Sequence, residues 1–288
     1  MSEPAEPLHR LANVAPEFRA TLAVNGKHAV ANITIALPSG QRHIFALDLT
    51  EEGGRVSVRE APVGNLLPAF CPDRHVNSDG SFCLGWGEDD PSTILDPEAA
   101  RRWWSVLVRF LAHQVSANKR RVWPGRENDR AHGAAARHQA VAEPLAAQFG
   151  PTFVDDLHGG LLSTRLDNRR RNPRLELYRA GRLIARVSLH SRRLIRDRFL
   201  CPCNGPMALP TTRCGTHAQA LANFTSALHS WHEEERTFLD NLVTSGQRCC
   251  GTLRECGLAA ACARVRSLSS RGSAHERHSR SGTPRHHR

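Results

Sequence analysis

Soon after the N-terminus, apolar and polar residues alternate, the signature of strands that bury one face. Phe18–Val24 follows this pattern, and Asn25-Gly26, a strong tight-hairpin pair, comes directly after it. Ile33, Ile35 and Leu37 alternate with Thr34 and Ala36 as a second strand, and Pro38-Ser39-Gly40 turns the chain. Ile44–Leu49 makes a third strand, and Val56 and Val58 mark a fourth beyond the turn at Glu51–Gly54. Short connections of this kind predict an antiparallel meander. The residues ahead of it, Met1 to Leu11, read as a short polar start. From Ala61 to Asp96 the alternation gives way to Pro, Gly, Asp and Asn. An irregular segment of that length inside a compact domain is usually functional or disordered. This one holds Cys71, His75, Asn77, Cys83 and Trp86, which favours function.

The period then changes. Asp96 suits an N-cap, Pro97 the first helical position and Glu98 the positive helix end. Trp103, Leu107, Phe110 and Leu111 share one stripe, so a helix is predicted from there to about Asn118. Ala131–Gln148 is a second, weaker helical stretch. Leu175–Tyr178 and Leu183–Val187 flank Ala180-Gly181 as a hairpin. Leu221, Phe224, Leu228, Trp231, Phe238 and Leu242, with no Gly or Pro between them, predict a long helix over Thr216–Val243. The fold class is therefore α+β. The expected division is 1–148 as a first domain, 149–262 as a smaller cysteine-rich α+β domain, and 263–288 as a disordered basic tail.

The formal net charge of +11 suggests nucleic acid as a partner, but the charge is unevenly placed. Much of it lies in the tail from Arg264 to Arg288, with further runs at Arg169-Arg170-Arg171 and Arg192-Arg193. Such runs are ordinarily solvated surface, so nucleic acid is not the expected partner. No apolar run is long enough to span a bilayer, and Met1–Leu11 lacks the apolar core of a secretory signal. A cytoplasmic protein without a membrane partner is the expectation. There, nine cysteines argue for catalysis or metal ligation rather than a disulfide framework.

The densest chemistry is His75-Val76-Asn77-Ser78-Asp79-Gly80-Ser81-Phe82-Cys83-Leu84. A cysteine nucleophile needs exposure and polar surroundings, and acyl transfer needs a donor aimed at the developing oxyanion. Cys83 and Asn77 offer these. This string resembles the active-site signature of ubiquitin-conjugating enzymes, in which His-Pro-Asn is followed by a glycine and then by Cys-Leu. Trp103-Trp104, Trp123-Pro124 and His132-Gly133 resemble the E2-like proteins of bacterial ubiquitin-like conjugation operons. The resemblance covers roughly residues 10 to 140. It implies a thioester nucleophile at Cys83, an oxyanion-stabilising or loop-organising Asn77, and a structural His75. It also implies a ubiquitin-like modifier, an E1-like activating enzyme and an amine-bearing target as partners, with no cofactor for the transfer. Val76 stands where the family has proline, the Asn-to-Cys spacing is shorter, and the proline-rich loop is reduced to Pro62 and Pro68. Two other readings stay open. One is a noncatalytic E2-fold interaction module with Cys83 as a small buried hydrophobe. The other is a Cys–His hydrolase pairing Cys83 with His75, His113 or His132.

Cys201, Cys203, Cys249, Cys250 and Cys256 bracket the long helix and are the expected ligands of a structural zinc, with His217 as an additional donor. The helix would be about 40 Å long at 1.5 Å per residue, so Cys214 and Cys249 at its two ends could not share one ion. Cys201 and Cys203 would reach Cys249 only by folding back along it.

Overall fold

A computed structural model describes residues 6–37, 40–87, 90–124, 131–169, 172–195, 199–203 and 209–265. The turn residues Pro38 and Ser39, the arginines 170 and 171, and the expected disordered tail from residue 266 onward lie outside the described residues. The fold is α+β with two antiparallel sheets. Two compact units divide the chain: 1–125 together with 239–288, and 126–238.

The first unit opens with helix α1 (Pro7–Val14), where the polar start was expected. Pro7 occupies the first helical turn, and Leu8, Leu11 and Val14 are buried along one face. The meander follows in the order β1 (Ala20–Asn25), β2 (His28–Ala36), β3 (Arg42–Glu52) and β4 (Arg55–Glu60). Asn25 pairs with His28 across a two-residue turn, and Gly26 takes the positive φ of 58° that this turn requires. Ala29, Ala31, Ile33 and Ile35 of β2, Phe45, Leu47 and Leu49 of β3, and Val56 and Val58 of β4 are buried. Each lies two residues from the next, so one sheet face is apolar.

Helix α2 (Pro97–Arg120) packs against α1 and β2. The Asp96 side chain caps it, accepting from the Ala99 N–H at 2.8 Å. Trp103 and Trp104 are fully buried, edge to face at 5.1 Å, and the Trp104 indole donates to the Leu11 carbonyl at 3.0 Å.

The second unit contains α3 (Ala135–Ala147), α4 (Pro151–His158), and a three-stranded sheet in the order β5 (Leu162–Asp167), β6 (Arg174–Arg179), β7 (Arg182–Ser188). Ala180 and Gly181 both take positive φ, the geometry of the predicted hairpin. Helix α5 (His217–Thr244) sends Leu221, Phe224 and Leu228 into a core with Phe149, Phe153, Leu162 and Leu177. From Leu239 onward the chain counts with the first unit, which also holds a last helix, α6 (257–265). Residues 263–265, expected in the tail, are the end of α6, where the Arg264 guanidinium donates to Asp240 at 2.8 Å. Among the described residues, no helix is long and apolar enough to cross a membrane.

Candidate functional site

The segment after β4 is irregular but highly bonded. A short 3₁₀ turn at Pro72–Arg74 ends at His75 in the left-handed region, φ 54°. Cys71 and Val76 exchange both backbone hydrogen bonds at 3.0 Å, closing a tight loop. The chain then doubles back through Asn77–Ser81: the Asn77 N–H donates to the Ser81 carbonyl at 2.8 Å and the Gly80 N–H to the Asn77 carbonyl at 3.0 Å. Val76 and Phe82 bridge across this turn, and the Phe82 N–H donates to the Val58 carbonyl of β4 at 2.8 Å. The loop therefore adds a short ribbon to the edge of the meander.

That ribbon sets the exposure of the cysteine. Phe82 points inward against Phe110 of α2, with ring centroids 4.7 Å apart. Strand alternation then turns the next residue, Cys83, outward, and it is exposed. Its N–H donates to the His75 carbonyl at 2.9 Å, and its thiol lies 3.8 Å from the Gly85 carbonyl. Although the residue is exposed, the atoms packed around the sulfur partly desolvate it. This burial, and after it the Asp90 carboxylate, push the thiol above the ordinary cysteine range. Asp90 in turn pairs with Arg55.

Asn77 is exposed and its side-chain amide donates to the Ser81 hydroxyl at 3.0 Å, which donates to Asp79 at 2.7 Å. In this arrangement the Asn77 amide braces the turn. His75 contributes its backbone carbonyl to Cys83, and its ring tilts against Trp123 at 5.7 Å. His113 stands edge-on to the same Trp123, and burial pushes it below the usual histidine range. His132 belongs to the second unit, where it pairs with Glu235.

Gly80 is the steric hinge of the turn. Its φ is +80°, and a Cβ there would sit 2.7 and 2.9 Å from the two methyls of Val63. Gly26 has a positive φ too, but a Cβ there meets nothing within 4 Å. Gly80→Ala is therefore expected to destabilise the protein by about 2–3 kcal/mol and Gly26→Ala by about 1 kcal/mol. Denaturant midpoints check this; equal losses would mean that the Val63 contact is not felt.

The structure brings Cys201 and Cys203 together with Cys214 and His217, all in the second unit, with every ligand atom within 4.8 Å of the others. Cys201 and Cys214 sulfurs each lie 3.3 Å from His217 Nδ1, and Cys203 and Cys214 sulfurs are 3.7 Å apart. A tetrahedral zinc with bonds of about 2.3 Å to sulfur has an edge of about 3.8 Å, so this donor set fits the ion. A bridge between Leu200 and Pro210 positions the first two cysteines. The Cys214 carbonyl accepts from the His217 N–H at 3.0 Å where α5 begins. Without an ion, burial first and the neighbouring thiols after it push Cys201 up to about 12. Cys249, Cys250 and Cys256, expected as ligands with Cys201 and Cys203, instead belong to the first unit. Cys214 is not among the expected ligands, although it lies three residues before the expected additional donor His217 at a helix start.

A family model described as a prokaryotic E2 domain matches residues 18–125. A second, described as a cysteine-rich domain C-terminal to E2 domain, matches residues 131–258. No curated protein and no solved structure matches the chain.

Proposed function

We propose, from the premise that this chain belongs to the prokaryotic E2 proteins with a C-terminal cysteine-rich domain, that Cys83 carries a ubiquitin-like modifier as a thioester. The observation that carries this reading is the ribbon that buries Phe82 and turns Cys83 outward at the end of a braced turn. The Cys83 sulfur attacks the modifier's C-terminal carbonyl, held as a thioester on an E1-like activating enzyme. A carbon–sulfur bond forms, the Cys83 proton leaves to solvent, and the activating enzyme's thiolate departs. An amine of the target later attacks the same carbonyl and displaces the Cys83 thiolate. The raised thiol affinity for protons has a use in this cycle, because a more basic thiolate is a poorer leaving group. It lowers the fraction of thiolate ready for capture and, once the thioester has formed, holds the modifier until an amine is in place. The setting is a reducing, cytoplasmic one, in which the thiol stays available.

The test is reconstitution with a ubiquitin-like modifier and an E1-like activating enzyme. Adding ATP should protect Cys83 from alkylation while the other eight cysteines react as before. Cys83 alkylating equally with and without ATP would exclude the carrier role. In the same system Asn77→Ala is expected to leave charging largely intact and slow discharge onto lysine. The loss is at most the factor of about 10²–10³ seen for a lost oxyanion donor. Equal losses in both steps would assign Asn77 to loop folding alone.

The charge environment gives a pH prediction. A neighbouring carboxylate disfavours the thiolate, so Asp90→Asn lowers the proton affinity of Cys83. At pH 8 iodoacetamide should label the variant's Cys83 about two- to fivefold faster than the wild type's. In the wild type the labelling rate should keep rising with pH beyond the ordinary thiol range. Identical profiles for the two proteins would show that Asp90 does not act on the thiol.

Cys201, Cys203, Cys214 and His217 are assigned to a structural zinc that fixes the start of α5 to the segment before it. The ion takes no part in the transfer.

A further inference from the structure

Three successive residues at the root of the Cys83 loop hold three different parts of the first unit. Asp73 accepts from the Gly257 N–H at 2.7 Å. Arg74 faces α2: its Nε donates to the Gln114 side chain at 2.8 Å and its Nη2 to the Gln114 carbonyl at 3.2 Å. The Gln114 amide donates back to the Arg74 carbonyl at 2.7 Å. His75 offers its own carbonyl to the Cys83 N–H at 2.9 Å. The turn that joins them is bonded within itself, the Arg74 N–H to the Cys71 carbonyl at 3.1 Å and the His75 N–H to the Pro72 carbonyl at 2.7 Å. Arg74 and Gln114 are both fully buried. A guanidinium fork of fixed geometry sets the turn at one height on α2, which an apolar contact would not do.

The Asp73 bond comes from a distant part of the sequence. Residues 249–257 follow α5 yet count with the first unit, and Gly257 is the first residue of α6. Its N–H is one of the donors that a helix start leaves without an internal partner, and the Asp73 carboxylate suits both that donor and the positive helix end. The approach is close: a Cβ on Gly257 would lie 3.0 Å from the Leu239 side chain and 3.3 Å from the Asp73 carboxylate. The same segment is fixed again at the end of α2. There the Arg254 N–H donates to the Arg121 carbonyl and the Arg121 guanidinium to the Gly251 carbonyl, both at 2.9 Å. Trp123, two residues further on, packs against the His75 ring at 5.7 Å. Both anchors of the segment therefore lead to the residue whose carbonyl holds Cys83.

We infer that residues 249–257 are a positioning brace for the thioester site, fixing through Asp73 and through Arg121 the turn from which His75 holds Cys83. This rests on the carrier reading of Cys83. It makes Asp73 a positioning residue for the transfer, acting through the turn rather than on the sulfur. Attack on a carbonyl depends on where the sulfur stands, and a misplacement of about 1 Å can cost about 10²-fold in rate. A segment that follows the second unit thus completes the site built by residues 1–125.

Amide hydrogen exchange on the full-length chain reads the brace directly. Asp73→Ala is expected to speed exchange at the Cys83 amide by about tenfold, the counterpart of one lost hydrogen bond to a charged group, while β2 and β3 keep their protection. Asp73→Asn keeps a side-chain oxygen for the Gly257 N–H and should stay within about threefold of the wild type. In reconstituted charging, Asp73→Ala should lower the rate at saturating activating enzyme by about tenfold or more, as a misplaced sulfur requires. The half-saturating concentration should not change, and Asp73→Asn should again lie near the wild type. An unmoved Cys83 amide, an equal acceleration across β2 and β3, or an unchanged saturated rate would each overturn the brace. The exchange needs no modifier. A wild type that takes up no modifier would therefore contradict the carrier reading alone, and the exchange would still decide whether the segment holds Cys83.

Discussion

Cys83→Ser is expected to abolish every reductant-sensitive conjugate between this protein and its modifier, and with it transfer to amines. The change removes one sulfur atom from an exposed position whose backbone bond to His75 a serine retains, so folding is unaffected. The chemistry is lost because an alkoxide is far less accessible than a thiolate at neutral pH, and an oxygen ester resists displacement by amines. The variant should therefore give no adduct, or a faint one stable to dithiothreitol. The fall in turnover should exceed the factor of about 10²–10³ assigned to a single oxyanion donor, since the covalent step itself is removed. Eight other cysteines remain in the variant, so a thiol-labile adduct of undiminished yield would place the acceptor elsewhere.

Loss of the zinc site is expected to be the largest structural effect. Zinc sites of this kind contribute about 10–16 kcal/mol of apparent binding free energy at neutral pH, which a small unit draws on for folding. Cys203→Ser and His217→Ala should each drop bound zinc from one equivalent to near zero and unfold the second unit. That unit's core includes Leu221, Phe224 and Leu228 on the helix His217 begins. Cys249→Ser should keep the full equivalent. Elemental analysis with circular dichroism measures both. Metal-free wild type purified without chelator, or a Cys249→Ser protein stripped of metal, would contradict the assignment. The zinc ligands must lose protons to bind, so metal retention should weaken as pH falls.

The elements whose signals are local were legible in the sequence. Alternation from Ile33 to Val58 marks the meander, Asn25-Gly26 marks its first hairpin, and Asp96-Pro97 marks the start of α2. The Asn77–Cys83 string locates the braced turn, because Gly80 at positive φ and Ser81 as a bonding partner lie within a few residues of Asn77. What escaped was either weak or nonlocal. Helix α1 rests on only three buried apolar residues, Leu8, Leu11 and Val14, and β5 exposes most of a largely polar Leu-Ser-Thr-Arg-Leu-Asp run. No periodicity records that the chain beyond Leu239 counts with the first unit, or that the Gly257 N–H meets Asp73 there. The cysteine grouping is set by such tertiary contacts, so spacing alone could suggest metal ligation but could not sort the ligands.

The central claim is that Cys83 carries the modifier. Intact-mass analysis of the wild-type chain after incubation with modifier, activating enzyme and ATP tests it most directly. The account predicts a mass increase of one modifier less one water, mapped to the Cys83 peptide and erased by dithiothreitol. No mass increase, or one that survives the reductant, would contradict it.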